Sequence, residues 1–332
     1  MKKRFLVKSI AILLVGLSAS YNATAQDAHF SQYFSAPLTL NPSLTGQFNG
    51  SVRVAGVYRS QWQAIDYGSS FGVSVDTRKK GWGFGLTVMD LKGGPLDFSY
   101  FSALASVSYD LTYKRKSPNH FIVGGQVGML SKSVSTKNST FGSQYLPSFG
   151  FEETNDSGEN IGNPNASGLD VNLGAFWFNG AAGRKYSPFA GVSAAHITDT
   201  DLAFGSEEDK VGMRLAGHGG VKIRVRKKLD ITPHFQYLYH LNKPTDWIMG
   251  FNFAYGIIDT RTVLVGGVSY RMNDSAIPYV GLLYNDFQFG ISYDVNLSAL
   301  SDVGKNKNAV ELSFIYIRRK QTVEEKFICP RL

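Results

Sequence analysis

The chemistry-bearing residues of this 332-residue chain are few and scattered. His29, His120, His196, His218, His234 and His240 show no HExxH or similar metal spacing. His234 and His240 would share one face of a strand, but six extended residues put them roughly 20 Å apart, too far to bind one metal. No GxSxG elbow, P-loop or paired-cysteine motif occurs, so nucleophilic, phosphate-cradling and multi-cysteine metal chemistry lack their constellations. Gly81-Trp82-Gly83-Phe84-Gly85 reads as strand glycines rather than a nucleotide loop. Asp199, Asp201, Glu207, Glu208 and Asp209 crowd Thr198–Val211, yet their spacing matches no full Ca²⁺ loop and reads as a solvated surface segment. The pattern implies no catalytic residue, no cofactor and no metal.

What must position the remaining polar residues is legible in the composition. The chain has 35 Gly, 23 Phe and 17 Tyr, and only 18% charged residues, against about 25% in ordinary soluble domains. Residues 1–25 have the form of a cleaved signal peptide. Lys2, Lys3, Arg4 and Lys8 precede an apolar run at Ile10–Leu17, and Ala23-Thr24-Ala25 is a small-x-small site. The run is shorter than the roughly 20 residues of a spanning helix. Removing those four basic residues reduces the net charge from +8 to +4 (34 − 4 = 30 basic, 26 acidic). Nucleic-acid binding thereby loses its electrostatic footprint. The one cysteine, Cys329, excludes a disulfide framework and reads as a buried thiol or as one that pairs with another chain.

After Gln26 the recurring signal is alternation with period two, the mark of a strand with two unlike faces. Along Asp246–Ile258, Trp247, Met249, Phe251, Phe253, Tyr255 and Ile257 share one side. Along Gly212–Arg226, Met213, Leu215, Val221, Ile223 and Val225 oppose Arg214, His218, Lys222, Arg224 and Arg226. A soluble sandwich packs its bulky face on a second sheet. Here the second face is Gly, Ser, Asn and charge, which suits a membrane barrel with an apolar outside and a polar inside. Fourteen candidate strands, from Val52–Ser60 to Asn308–Ile317, predict an all-β, transmembrane antiparallel β-barrel of the outer-membrane type over residues 52–317. Trp62, Trp82, Tyr109, Tyr113, Trp177, Tyr186, Trp247, Tyr270 and Tyr284 fall near strand ends, where interfacial girdles belong. The predicted lumen carries Asp170, Asn172, Arg214, His218, Lys222, Arg224, His234, Gln236, Gln288, Asp294 and Glu311. These could fill the barrel or grip an inserted peptide or plug.

Connections alternate between short and long. Short turns belong on the periplasmic side and long loops outside, which leaves both termini in the periplasm. Five of the six short turns carry Lys or Arg, a basic rim able to meet an acidic partner. The long Ser133–Ser167 connection is expected to form an outer cap. Residues 26–51 read as an irregular periplasmic lead-in, and 318–332 as a polar periplasmic tail.

The opening Gln26-Asp27-Ala28-His29-Phe30-Ser31-Gln32-Tyr33-Phe34, with Leu40-Asn41-Pro42-Ser43-Leu44-Thr45-Gly46, closely resembles the mature start of the PorP/SprF family of type IX secretion system outer-membrane proteins. Tyr58-Arg59-Ser60-Gln61-Trp62 is similar to the family's YRxQW. Tyr270-Arg271, the Gly290–Ser298 stretch, Glu311-Leu312-Ser313 and the closing Cys329-Pro330 continue the likeness. Ala28 and Ser43 depart from the family's usual Pro and Ala. The motif residues are thus Gln32, Tyr33, Asn41, Pro42, Gly46, Tyr58, Arg59 and Trp62. The resemblance implies a non-enzymatic outer-membrane component of type IX secretion in Bacteroidota. Its implied roles are to bind or anchor a secreted, adhesin-like surface protein through that cargo's C-terminal signal domain, or to serve the secretion and gliding machinery. Implied partners are outer-membrane lipid, the cargo, and periplasmic or lipoprotein components. An outer-membrane porin or hydrophobic-solute transport channel is the alternative that the barrel alone permits.

Overall fold

A computed structural model describes residues 29–61, 68–94, 96–115, 117–135, 142–146, 150–152, 164–181, 183–204, 208–241, 245–257, 261–298 and 308–319. The expected signal peptide, Trp62, Cys329 and nearly all of the tail lie outside these residues. The wall begins with β1 (Val52–Gln61), β2 (Gly68–Lys79), β3 (Trp82–Gly93), β4 (Phe98–Asp110) and β5 (Asn119–Ser133). A two-stranded hairpin, β6 (Tyr145–Leu146) with β7 (Gly150–Phe151), interrupts the long connection that follows. The wall resumes with β8 (Asn165–Asn179), β9 (Tyr186–Ala195), β10 (Arg214–Arg226), β11 (Leu229–His240) and β12 (Asp246–Gly256). It ends with β13 (Thr262–Arg271), β14 (Ser275–Tyr284), β15 (Phe287–Asn296) and β16 (Ala309–Arg318).

Fourteen of these strands form one closed antiparallel barrel, sealed where β1 pairs with β16 from Val52↔Arg318 to Gln61↔Ala309. Closure removes every unpaired edge, which a hydrocarbon surround would not tolerate. The alternation sorts side chains between lipid and lumen. On β12, Trp247, Met249, Phe251, Phe253 and Tyr255 are exposed, whereas Ile248 between them is fully buried. On β8, Leu169 and Leu173 face out, while Asp170, Asn172, Phe176 and Phe178 are buried inside. The connections β2–β3, β4–β5, β8–β9, β10–β11, β12–β13 and β14–β15, none longer than eight residues, gather at one rim, and the longest ones, β5–β8, β9–β10 and β15–β16, lie at the other.

Residues 29–50 do not form a lead-in outside the barrel. They run through its lumen, as three short helical turns at Tyr33–Ser35, Pro37–Leu40 and Pro42–Leu44. His29 sits 3.4 Å from Asp246 at the long-connection rim, whereas Ser51 bonds Arg318 at the short-turn rim. The first described residue therefore stands opposite the end of β16, not beside it. The physical reason is apolar content: Phe34, Leu38, Leu40 and Leu44 are all buried, each contributing about 1.5–3 kcal/mol when removed from water. Phe34, Leu40 and Leu44 pack with Ile122, Phe176, Phe178, Phe189, Ile248 and Tyr279 from the inner wall. The acidic connection keeps Asp199, Asp201 and Glu208 exposed, as a solvated segment would, but its Leu202 is fully buried against Tyr100, Leu130 and Ala166 at the long-connection rim.

Candidate functional site

The lumen is organised around the N-terminal segment, which is anchored at three levels. At the first, the backbone N–H groups of Ser31 and Gln32 donate to the Glu311 carboxylate at 2.8 and 2.7 Å. The Ser31 hydroxyl donates to Asp294 at 2.7 Å and accepts from Arg59 at 2.5 Å and Arg271 at 2.7 Å. Arg59 also reaches Asp294 at 2.9 Å and Glu311 at 3.3 Å. Arg59 and Arg271 thus face the buried carboxylates of Asp294 and Glu311, and Arg271 also pairs with the more exposed Asp274 at 2.8 Å. The Gln32 side chain is held by three hydrogen bonds. Its amide nitrogen donates to Ser292 and to the Glu311 carbonyl, and its oxygen accepts from Ser313. These contacts draw on β1, β13, β15 and β16, so the seal of the barrel and the anchoring of the segment share residues.

At the second level the segment crosses to the opposite wall. The Tyr33 hydroxyl lies 2.6 Å from His234 Nδ1, and the Phe34 ring meets Tyr279 edge-on at 5.2 Å. Asn41 is wholly buried and uses its entire side chain. Its amide donates to the carbonyls of Ala175 and Val192, each at 3.1 Å, and sits 3.1 Å from His218 Nε2. Its oxygen accepts from the Ser43 backbone and hydroxyl, capping the turn that Pro42 opens. This approach requires glycine in the wall. A Cβ at Gly174 would overlap the Asn41 side chain, and one at Gly124 would stand 2.7 Å from the Pro42 carbonyl.

At the third level Gly46, with φ of 72°, donates its N–H to Asp76 at 2.6 Å. Arg53 grips the same carboxylate from the facing register position, at 2.9 and 2.7 Å. It also donates to the Leu44 carbonyl at 3.0 Å. The Ser108 hydroxyl bonds the Thr45 carbonyl at 2.6 Å.

Of the polar lumen residues read from the sequence, His218, His234, Asp294 and Glu311 touch this segment, and the others have different work. Asp170 bonds His196 at 3.0 Å, and Asn172 joins Gln126 and the His196 backbone. Lys222 and Arg224 both meet Asp230 near the short-turn rim. Gln236 lies buried on β11 beside the space above the segment, which Arg214 also lines, while Gln288 belongs to the inner face of β15. At the long-connection rim, Lys132 is buried and paired with Asp209 of the acidic connection. There Lys210 is held above its ordinary pKa by a hydrogen bond with Glu208.

The family motif acquires physical meaning from this geometry. Gln32, Tyr33, Asn41, Pro42 and Gly46 belong to the inserted segment and Arg59 to its receptor, while Tyr58 faces lipid. Sequence reasoning missed Ser31, Arg53, Asp76 and Arg271 as members of the site. The available signal was charge on the inward face of otherwise apolar or small-residue strands, with Arg53 and Asp76 at facing positions of β1 and β2. Among the described residues no group of His, Cys, Asp and Glu could hold a metal ion.

A profile of the family described as type IX secretion system membrane protein PorP/SprF matches residues 22–316. The chain belongs to the PorP/SprF family. No curated protein matches it significantly. The Ralstonia pickettii toluene transporter TbuX has a similar fold, at 11% identity and a TM-score of 0.51, with 86% of this chain and 94% of that one covered. The CymD monoaromatic hydrocarbon channel is similar at 10% identity and a TM-score of 0.50, covering 87% of this chain and 94% of that one. At such identity the likeness concerns the fold alone. Family and fold together identify this PorP/SprF chain as an outer-membrane barrel.

Proposed function

We propose that this PorP/SprF protein serves type IX secretion as a non-enzymatic anchor that binds a secreted, adhesin-like surface protein through its C-terminal signal domain. One observation carries the reading: the lumen is occupied by the chain's own N-terminal segment, held to the wall by buried hydrogen bonds from Ser31 and Gln32 to the Arg59, Asp294 and Glu311 cluster. A filled barrel is a platform rather than a diffusion pore. Short turns then face the periplasm and the longer connections face outward. That places the tail beyond β16 in the periplasm and His29 at the outer rim. The acidic connection, the β6–β7 hairpin and the lumen residues above the segment form the surface offered to cargo. Asp170, Asn172, Arg214 and Gln236 are the polar groups nearest that mouth.

Deleting the gene tests the role. Loss of one surface protein with other type IX export intact supports the anchor. Arrest of all type IX export assigns the protein instead to the core secretion or gliding machinery. A second reading, a hydrophobic-solute channel, draws on the fold shared with TbuX and CymD and on an apolar hollow of about 820 Å³ on the lipid face. Gly56, Tyr58, Phe71, Phe289 and Phe314 line that hollow. The inner wall opposes it, since Arg59, Asp294 and Glu311 are no path for hydrocarbon. Uptake of a monoaromatic probe that disappears with the gene would establish the channel.

A further inference from the structure

Charge is divided unevenly between the two rims. At the short-turn rim, Lys79 and Lys80 join β2 to β3, Lys114 and Arg115 follow β4, and Arg184 and Lys185 precede β9; all six are exposed. Exposed Arg226, Lys227 and Lys228 link β10 to β11, Arg261 precedes β13, and Arg318 with Arg319 ends β16. Among the described residues, three acids of this rim are already engaged. Asp230 pairs with Lys222 and Arg224, Asp286 with Arg319, and Asp110 with His120. The long-connection rim is different in character: Asp97, Asp199 and Asp201 are exposed there, while Glu208, Asp209 and Asp274 pair with Lys210, Lys132 and Arg271.

Two features of the basic rim indicate what it meets. First, it runs round the whole perimeter: five of the six short turns contribute, and β16 fills the gap left by the Asn285-Asp286 turn. A docked protein would need a patch on one side or across the mouth. Second, the turns are tight and lie directly beyond an aromatic girdle. Trp82, Tyr113, Tyr186 and Tyr284 are exposed at the same ends, and the Lys185 ammonium stands 5.4 Å over the Tyr186 ring. Aromatic residues at that depth mark the membrane interface, and Lys or Arg stems just beyond them deliver their charge to the headgroup phosphates.

We propose that this rim is a binding ring for anionic phospholipid headgroups. That these belong to the periplasmic leaflet rests on the orientation given above; the headgroup chemistry does not. Each Lys or Arg near an anionic surface contributes about fivefold in affinity.

The test titrates the full-length mature barrel in detergent with phosphatidylglycerol or phosphatidylcholine and counts bound lipids by native mass spectrometry. Phosphatidylglycerol should bind at least tenfold more tightly, with the advantage shrinking as salt rises. A variant carrying Lys79→Gln, Lys80→Asn, Lys227→Gln and Lys228→Gln should narrow that preference by at least about threefold, the rest of the ring remaining. Asn is chosen at position 80 because Lys80 has φ of 50°, which Asn tolerates. Lys210→Gln, at the other rim, should change nothing. Equal binding of both lipids by the native protein would overturn the proposal, as would a preference that the fourfold variant leaves unchanged. If the same variant abolished binding of a polyglutamate peptide while leaving the lipid ratio unchanged, the rim would be a docking site for an acidic protein, and the proposal would fail. None of these outcomes depends on cargo, so the secretion role stands or falls separately.

Discussion

Arg59 shows how much one side chain can hold. It is buried on β1, and its guanidinium joins Ser31 of the inserted segment to Asp294 and Glu311 of the last two strands. Removing one member of such a buried ion network leaves uncompensated charge, at a cost of about 3–5 kcal/mol. Arg59→Ala should therefore lower stability by that order in urea titrations of the reconstituted barrel. The exposed neighbour Tyr58 offers a contrast: Tyr58→Phe should fall within about 0.5 kcal/mol of the native protein. Glycine supplies a second residue-level test. Gly174→Val would drive a branched side chain into the space of Asn41. The barrel should still assemble, because residue 174 keeps its backbone pairing with Gly124 and Ser193. The inserted segment should lose its middle anchor, read as new protease cleavage between Ser35 and Gly46.

At the scale of elements, the N-terminal segment behaves as an extra piece of core threaded through the wall. Its direction is unusual for a lead-in, since His29 stands at one rim and Ser51 at the other. With the outward orientation proposed above, a cysteine at His29 should react with a membrane-impermeant maleimide on intact cells, and one at Ser51 should not. Cys329→Ser removes the native thiol for this experiment. Labelling of Ser51→Cys alone would invert the orientation. The motif residues explain why a segment without strands or long helices still adopts one conformation. Asn41, Pro42 and Gly46 fix its turns, and Gln32 saturates its hydrogen bonds on both donor and acceptor sides.

For the molecule as a whole, wall and filling are separable by design of the contacts. The strand pairing closes without help from residues 29–50, whereas those residues occupy space that would otherwise hold water. Deleting residues 29–47 should leave a heat-modifiable barrel on gels and raise its single-channel conductance in a planar bilayer from near zero to discrete open steps. Large conductance in the native protein would count against a closed platform. The deletion leaves Arg53, Arg59, Asp76 and Glu311 facing a wet lumen, where they can be hydrated, so insertion should survive.

Much of this was readable from residue order, and the part that was not has a definite cause. Alternation with period two determined the strands, their lipid and lumen faces, and hence the membrane barrel, because a strand in a barrel meets only two environments and each residue type declares which it suits. The inward placement of His218, His234, Asp294 and Glu311 followed from the same rule. The position of residues 29–50 carried no such periodic signal. Phe34, Leu40 and Leu44 have irregular spacing, because they pack against a curved inner surface assembled from strands as far along the chain as Tyr279. Which polar pairs meet across the lumen was likewise settled only by closure. Ser31 finds Glu311, and Tyr33 finds His234, only when the wall brings distant strands around one axis. Local pattern determined what each strand is; the closed tertiary structure decided what fills the space between them.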